Sequence, residues 1–274
     1  MVVNINDNSL TILTNKKTMK QINIFKMIVG MTFSILTFAM TSCSSDDFYG
    51  FDDEIIKSGL YDNQAFLDLS DYNDLSHLSS NDLTILSEAE KRIDIKLKGG
   101  LYEIKYRNGA EVNISERLFN YITENYNHLN TIAKSYGKIK RTKGSGPESG
   151  LMGKDCVPIA ISHYCNVDYQ TVVNALLGKT FTLVDAVKLF KEDACEQTSL
   201  TTGSGSGILV LYEHAVNLES VSQVPGESNY YVYYKDWQLY PNNGGNGLYI
   251  LVSNLSFPCQ NIYGNMTVVY GLVK

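Results

Sequence analysis

Two hydrophobic periods divide this chain, and their order constrains its fold more than any other feature. Across residues 115–137, Leu118, Tyr121, Ile122, Tyr126, Leu129, Ile132 and Tyr136 recur at three- and four-residue steps. That spacing gathers them on one helical face. Ser115 suits the N-cap, Glu116 stands where the helix dipole favours an acid, and Gly137 is a natural stop. Three more helices are expected across 157–164, 169–177 and 182–190. In the last, Thr182 caps and Asp185 at N3 completes a box-like pair. Past the glycine–serine run 203–207, read as a loop, the pattern shortens to strands at 208–212, 215–221, 230–234, 248–252 and 267–273. Helices followed by antiparallel strands predict an α+β fold.

The stretch 61–100 is mixed. Leu75, Leu78, Leu83, Ile85 and Leu86 suggest short helices, with another turn starting at Ser87. Gly99-Gly100 breaks the pattern, and residues 101–106 read as a strand closed by the turn signal Asn108-Gly109. Residues 144–150 (GSGPESG) are turn-rich and linker-like. The division expected is therefore a mostly helical accessory or pro-like region at 61–143, a linker at 144–150 and a second domain at 151–274.

The first 42 residues read as a targeting segment. Residues 1–18 are polar and patternless, and Met19 is a candidate start. Lys20 and Lys26 supply a positive n-region, and 27–40 (MIVGMTFSILTFAM) is apolar. A membrane span needs roughly 20 such residues, and this shorter run suits a signal h-region. It ends Met40-Thr41-Ser42-Cys43, which resembles the lipobox of bacterial lipoproteins. The resemblance implies acylation of Cys43, a membrane tether through it, and an outer-membrane, lipid-anchored location. The competing reading is an ordinary secretory signal with an incidental cysteine. The acidic run Ser44-Ser45-Asp46-Asp47, leading to Asp52-Asp53-Glu54, resembles the surface-export signal of lipoproteins in Bacteroides-like bacteria. It implies cell-surface display, with 43–60 as an acidic tether; the same composition also serves as a plain solvated spacer.

Removing residues 1–42 takes away Lys16, Lys17, Lys20, Lys26 and Asp7, so the formal charge of −6 becomes −9. Such a chain is a poor partner for nucleic acid, whose phosphates need clustered Lys and Arg. With Cys43 lipidated, Cys156, Cys165, Cys195 and Cys259 remain in an oxidising compartment. Four cysteines allow three pairings, among which the sequence does not choose. Their spacing fits no zinc pattern such as paired C-x-x-C, and no cofactor is expected.

The chemistry-bearing segment is Asp155-Cys156-Val157-Pro158. Asp155 suits an N-cap, which puts Cys156 at the first helical position and Pro158 in the tolerant first turn. A thiol there faces unpaired backbone N–H groups and the positive end of the dipole, which favours the reactive thiolate. Asp155 opposes this, so a cationic partner is needed. His214, in a β-patterned run, is the candidate. Asp236, at the end of the next strand, is placed to orient the second imidazole nitrogen, and Trp237 to shield that bond. Nucleophile, base and orienter would then stand on three separate elements. His163 lies two helical turns from Cys156, about 10 Å along the axis, too far to be the base. It reads, like His77 and His128, as a satisfied surface or core histidine.

In the order Cys156, His214, Asp236, with cysteine on a helix, histidine on a strand and tryptophan beside the acid, residues 145–274 resemble the papain-like cysteine peptidase superfamily. The streptopain-like and leader-peptidase-like branches are nearest in texture. The resemblance implies a helix bundle packed on an antiparallel sheet, a peptide or protein substrate, and Cys156 as nucleophile, His214 as general base and acid, and Asp236 as orienter. Two departures stand out. The family's glutamine before the cysteine, which binds the oxyanion, has no counterpart in 148–155, so Ser149 or Lys154 is the candidate donor beside the Cys156 N–H. The glycine that often precedes the family's histidine is Glu213. The alternative is a catalytically silent papain-like lipoprotein that binds a peptide or glycan. Cys156 as inert core or as half of a disulfide is the plainer reading, and tyrosines 230–234 more often line a sheet than a glycan platform.

Overall fold

The computed structural model describes residues 3–4, 64–136, 155–263 and 267–274. Its elements run β1 (Val3–Asn4), α1 (Ser80–Ile93), β2 (Lys96–Lys98), β3 (Leu101–Glu103), a 3-10 turn (Gly109–Val112), α2 (Glu116–Tyr136), α3 (Cys156–Cys165), α4 (Tyr169–Leu176), β4 (Thr180–Phe181), α5 (Leu183–Lys188), β5 (Glu196–Gln197), β6 (Gly203–Leu211), β7 (His214–Gln223), β8 (Tyr230–Lys235), β9 (Leu248–Val252), β10 (Cys259–Gln260) and β11 (Thr267–Val273). The fold is mixed α and β with antiparallel sheets. One seven-stranded sheet in the order β10-β11-β6-β7-β8-β9, with β5 also pairing β11 at Leu272 and Val273, forms the centre.

Both sheet faces are covered, and β6 shows how. Its side chains alternate, as a strand's must. Leu209 and Leu211 enter a core shared with α1 and α2, while Ile208 and Val210 enter one shared with α3, α4 and α5. Burial on both faces explains why β8 and β9 read as unbroken apolar runs: Tyr231, Val232, Tyr233 and Tyr234 are all buried, as is every residue of Leu248–Val252. The tyrosines thus line the core. The helical N-terminal residues share that core with the sheet, through Leu86, Ile93, Leu118, Ile122, Tyr126, Leu129 and Ile132.

Several local expectations are corrected. The leucines of the 61–100 stretch do not form short helices; one 14-residue helix, α1, starts at Ser79, whose hydroxyl accepts the Asp82 N–H. Its reach across 87–90 comes from burying Leu83, Leu86, Ala89 and Ile93 along one face. Gly99-Gly100 is not merely a break. Both residues have positive φ and join β2 to β3 as a two-residue hairpin loop, the conformation glycine adopts without strain; the strand expected over 101–106 is correspondingly shorter. The glycine–serine run 203–207 is not a loop. It is the first half of β6, pairing Gly203 with Val221 and Ser204 with Ser220 before a bulge. Glycine suits it because a Cβ on Gly205 would stand 2.6 Å from Leu218 Cδ2. Val3–Asn4, read as part of a patternless leader, pairs antiparallel with Phe181 and Thr180. The rest of the expected signal and tether, the lipidation cysteine Cys43, and the linker 144–150 lie outside the described residues.

Candidate active site

Helix α3 begins at Cys156, as its sequence predicts, but not through a cap at Asp155. Asp155 is itself helical (φ −65, ψ −17) and its side chain makes no capping hydrogen bond. A cap residue needs an extended backbone to turn its oxygen back onto the first-turn N–H groups. The amides of that turn are therefore left uncapped by Asp155, and Cys156 is the first residue of the turn. Its side chain is 1 % exposed, and it is a free thiol, as are Cys165, Cys195 and Cys259. The disulfide open to it from sequence is absent.

His214 opens β7, and what precedes it is unusual. Leu211 pairs with His214, so Tyr212 and Glu213 alone form the hairpin loop. Both lie in the left-handed region, at φ 49 and φ 65. Two-residue loops of this kind need positive φ at both positions to match strand twist, and non-glycine residues adopt it at a cost. Where the papain-like pattern often has glycine, Glu213 accepts that strain. Tyr212 is held through its hydroxyl, 3.1 Å from that of Tyr102, so the turn that aims the histidine is pinned to the N-terminal region.

Asp236 directly follows β8 and meets His214: His214 Nε2 lies 2.8 Å from Asp236 Oδ2. The carboxylate is fixed from several sides. Its Oδ1 accepts the backbone N–H groups of Gln238 and Leu239, each at 3.2 Å, and its own N–H donates to Gly244 O at 2.7 Å. The same imidazole lies near enough to Cys156 for the thiol to act on its proton affinity. With Nε2 engaged by the aspartate, the nitrogen left for sulfur is Nδ1. Burial by itself lowers the His214 pKa; the hydrogen bond to Asp236, the proximity of Cys156 and the charges of both outweigh it and push the group up to about 9. Burial likewise works to raise Asp236, but the His214 hydrogen bond and charge, helped by His128 and the Leu239 amide, hold it below the usual carboxylate range.

The three expected residues are thus brought together from a helix tip, a strand start and a strand end. Ser149 and Lys154 lie outside the described residues. Trp237 is half-buried and stacks on His163, with ring centroids 3.9 Å apart and 5° between planes, so the histidine read as too far to be the base has an aromatic partner instead. Both rings line a cavity of about 250 Å³ with Asn217, Glu219, Lys235 and the run Gly205, Ser206 and Gly207. His128 was not singled out for the site. It projects from α2, is 5 % exposed, and places Nε2 3.5 Å from Asp236 Oδ2. Its burial and its charge partner were invisible in sequence; the signal was only a histidine on the apolar helix of 115–137.

The site defines a class: a buried cysteine–histidine–aspartate arrangement on a mixed α and β fold with an antiparallel sheet. Such an arrangement can share a proton between sulfur and imidazole while a carboxylate fixes the ring. The chain matches no protein-family model, no curated protein and no solved structure.

Proposed function

We propose that this chain is a lipid-anchored, thiol-dependent amide hydrolase of papain-like type, acting on peptides or proteins. One observation carries the reading: a single buried imidazole stands 2.8 Å from Asp236 and within electrostatic reach of the buried thiol of Cys156. In the proposed reaction Asp236 fixes the ring so that Nδ1 faces sulfur. Cys156 Sγ attacks the substrate carbonyl carbon, and its proton passes to His214. The Cys156 backbone N–H, at the uncapped start of α3, faces the developing oxyanion, where preorganised donors act most strongly. His214 then gives its proton to the leaving amine. Water, deprotonated by His214, cleaves the thioester and regenerates the thiol. The lipobox-like Met40-Thr41-Ser42-Cys43 supports a membrane tether and an outer-membrane, surface-displayed location. Among the described residues no helix is long and apolar enough to cross a membrane.

The test is covalent labelling with a thiol-reactive peptide probe. Wild type should be labelled, and Cys156→Ala and His214→Ala should each lose the label while keeping a cooperative melt. Equal labelling of wild type and Cys156→Ala removes Cys156 from the reaction. A second reading, a silent papain-like lipoprotein that binds a peptide or glycan, draws on one observation: Cys156, His214 and Asp236 are each 1 % exposed or less. Under it, wild type resists the probe until unfolded.

A further inference from the structure

Asp236 Oδ2 faces two imidazoles, not one. His214 Nε2 stands 2.8 Å away and His128 Nε2 stands 3.5 Å away. All three side chains are at most 2 % exposed. His128 comes from the middle of α2, in the N-terminal region, whereas His214 opens β7 and Asp236 directly follows β8. Its ring is tilted against Tyr240 at 5.2 Å and Tyr234 at 6.1 Å, which holds it in place. Its Nε2 is buried with no hydrogen-bond partner, and a buried polar atom in that state calls for an explanation. The nearest charge is the aspartate.

We infer that His128 is a positioning residue for the proposed reaction: it turns an Nε2–H toward Asp236 Oδ2 and keeps that carboxylate seated against His214. The inference rests on the reading of Cys156, His214 and Asp236 as the reacting set, and deepens it. At 3.5 Å the contact is longer than a strong hydrogen bond, but in a buried site a polar group at that range still acts on a carboxylate. A neutral ring suffices. Burial, together with the His214 charge and against the pull of Asp236, pushes His128 down to about 4, so it offers an N–H without competing for the negative charge that His214 uses. Other groups facing Asp236 are the backbone amides of Gln238 and Leu239, on Oδ1, and the phenols of Tyr234 and Tyr240, which burial and then the carboxylate's charge keep protonated; Oδ2 is the oxygen the two histidines share. A further consequence is that the N-terminal helical region supplies part of the site and is not a detachable cover over it.

The experiment uses the full mature chain and nitrogen-15 NMR of its histidines. Wild-type His128 should show the Nε2–H tautomer and no titration above pH 5; an Nδ1–H tautomer overturns the inference. His128→Phe, which keeps a ring but no donor, should lower the His214 titration by about one unit. His128→Gln, which restores an N–H, should recover part of it. Peptide-amide turnover by His128→Phe should fall roughly tenfold in kcat with KM unchanged, the pattern for loss of an interaction made in the transition state. An unmoved His214 titration in both variants also overturns the inference. If wild type shows neither turnover nor peptide-probe labelling while the His214 titration still moves in His128→Phe, the hydrolase reading fails and the positioning contact stands.

Discussion

Glu90 is the most consequential single residue outside the site. It is fully buried, yet its carboxylate accepts the hydroxyls of Tyr126 at 2.7 Å, Tyr231 at 2.7 Å and Tyr249 at 2.8 Å. Burial drives its pKa up and these hydrogen bonds draw it part of the way back, leaving it at about 7 against an ordinary 4.5. The folded chain therefore holds a proton that the unfolded chain has released between those two values. Stability from this group is fully present below pH 4.5 and is lost as pH rises through about 7. The change amounts to about 3 kcal/mol. Glu90→Gln, which cannot titrate, should flatten the fall in melting temperature between pH 5 and 8 relative to wild type. Taking the difference between the two proteins cancels His128 and His214, which titrate nearby. Superimposable pH profiles would remove Glu90 as the cause.

Among the elements, the entry to β9 shows how closely the N-terminal residues approach the sheet. Gly247, just before Leu248–Val252, has φ +64, and a Cβ there would lie 2.3 Å from Leu75 Cβ. The Tyr121 hydroxyl on α2 donates to Gly247 O at 2.8 Å. Gly247→Ala combines a left-handed backbone with an overlap against a buried leucine and should destabilise the fold by about 2 kcal/mol or more. Chemical denaturation with unchanged slope measures this; a loss under about 0.5 kcal/mol shows that the loop yields. The β6–β7 hairpin is the opposite case. Tyr212 and Glu213 carry the positive φ themselves, and the histidine that follows is aimed by the turn they strain to form.

At the largest scale the described residues of 64–274 form a sheet covered on both faces, and one face is covered by residues that the chain supplies before Cys156. Removing residues 64–136 would expose Tyr231, Tyr233, Tyr249, Leu209, Leu211 and Val216, which are buried in the shared core, and would take His128 from Asp236. A fragment of residues 151–274 should therefore be insoluble or show no cooperative melt by circular dichroism. A fragment that melts cooperatively and labels with the peptide probe would favour the pro-like reading.

Local patterns carried much of this in advance. The capped helix α2, the box at Thr182 and Asp185, the strands of the tyrosine run and the order Cys156, His214, Asp236 were legible because each depends on period, capping or position along the chain. What required the folded chain were relations between distant segments: Glu90 among three tyrosines, Gly247 against Leu75, and His128 on the far side of the aspartate. The glycine–serine run was misread for the same reason. Its composition signals a loop, while Leu218 opposite explains why a strand there carries glycine. The physical cause is common to all. Propensity and hydrophobic period act through neighbours in sequence, but burial, charge pairing and close packing act through neighbours in space, and those are chosen only when the sheet and its two helical layers close together.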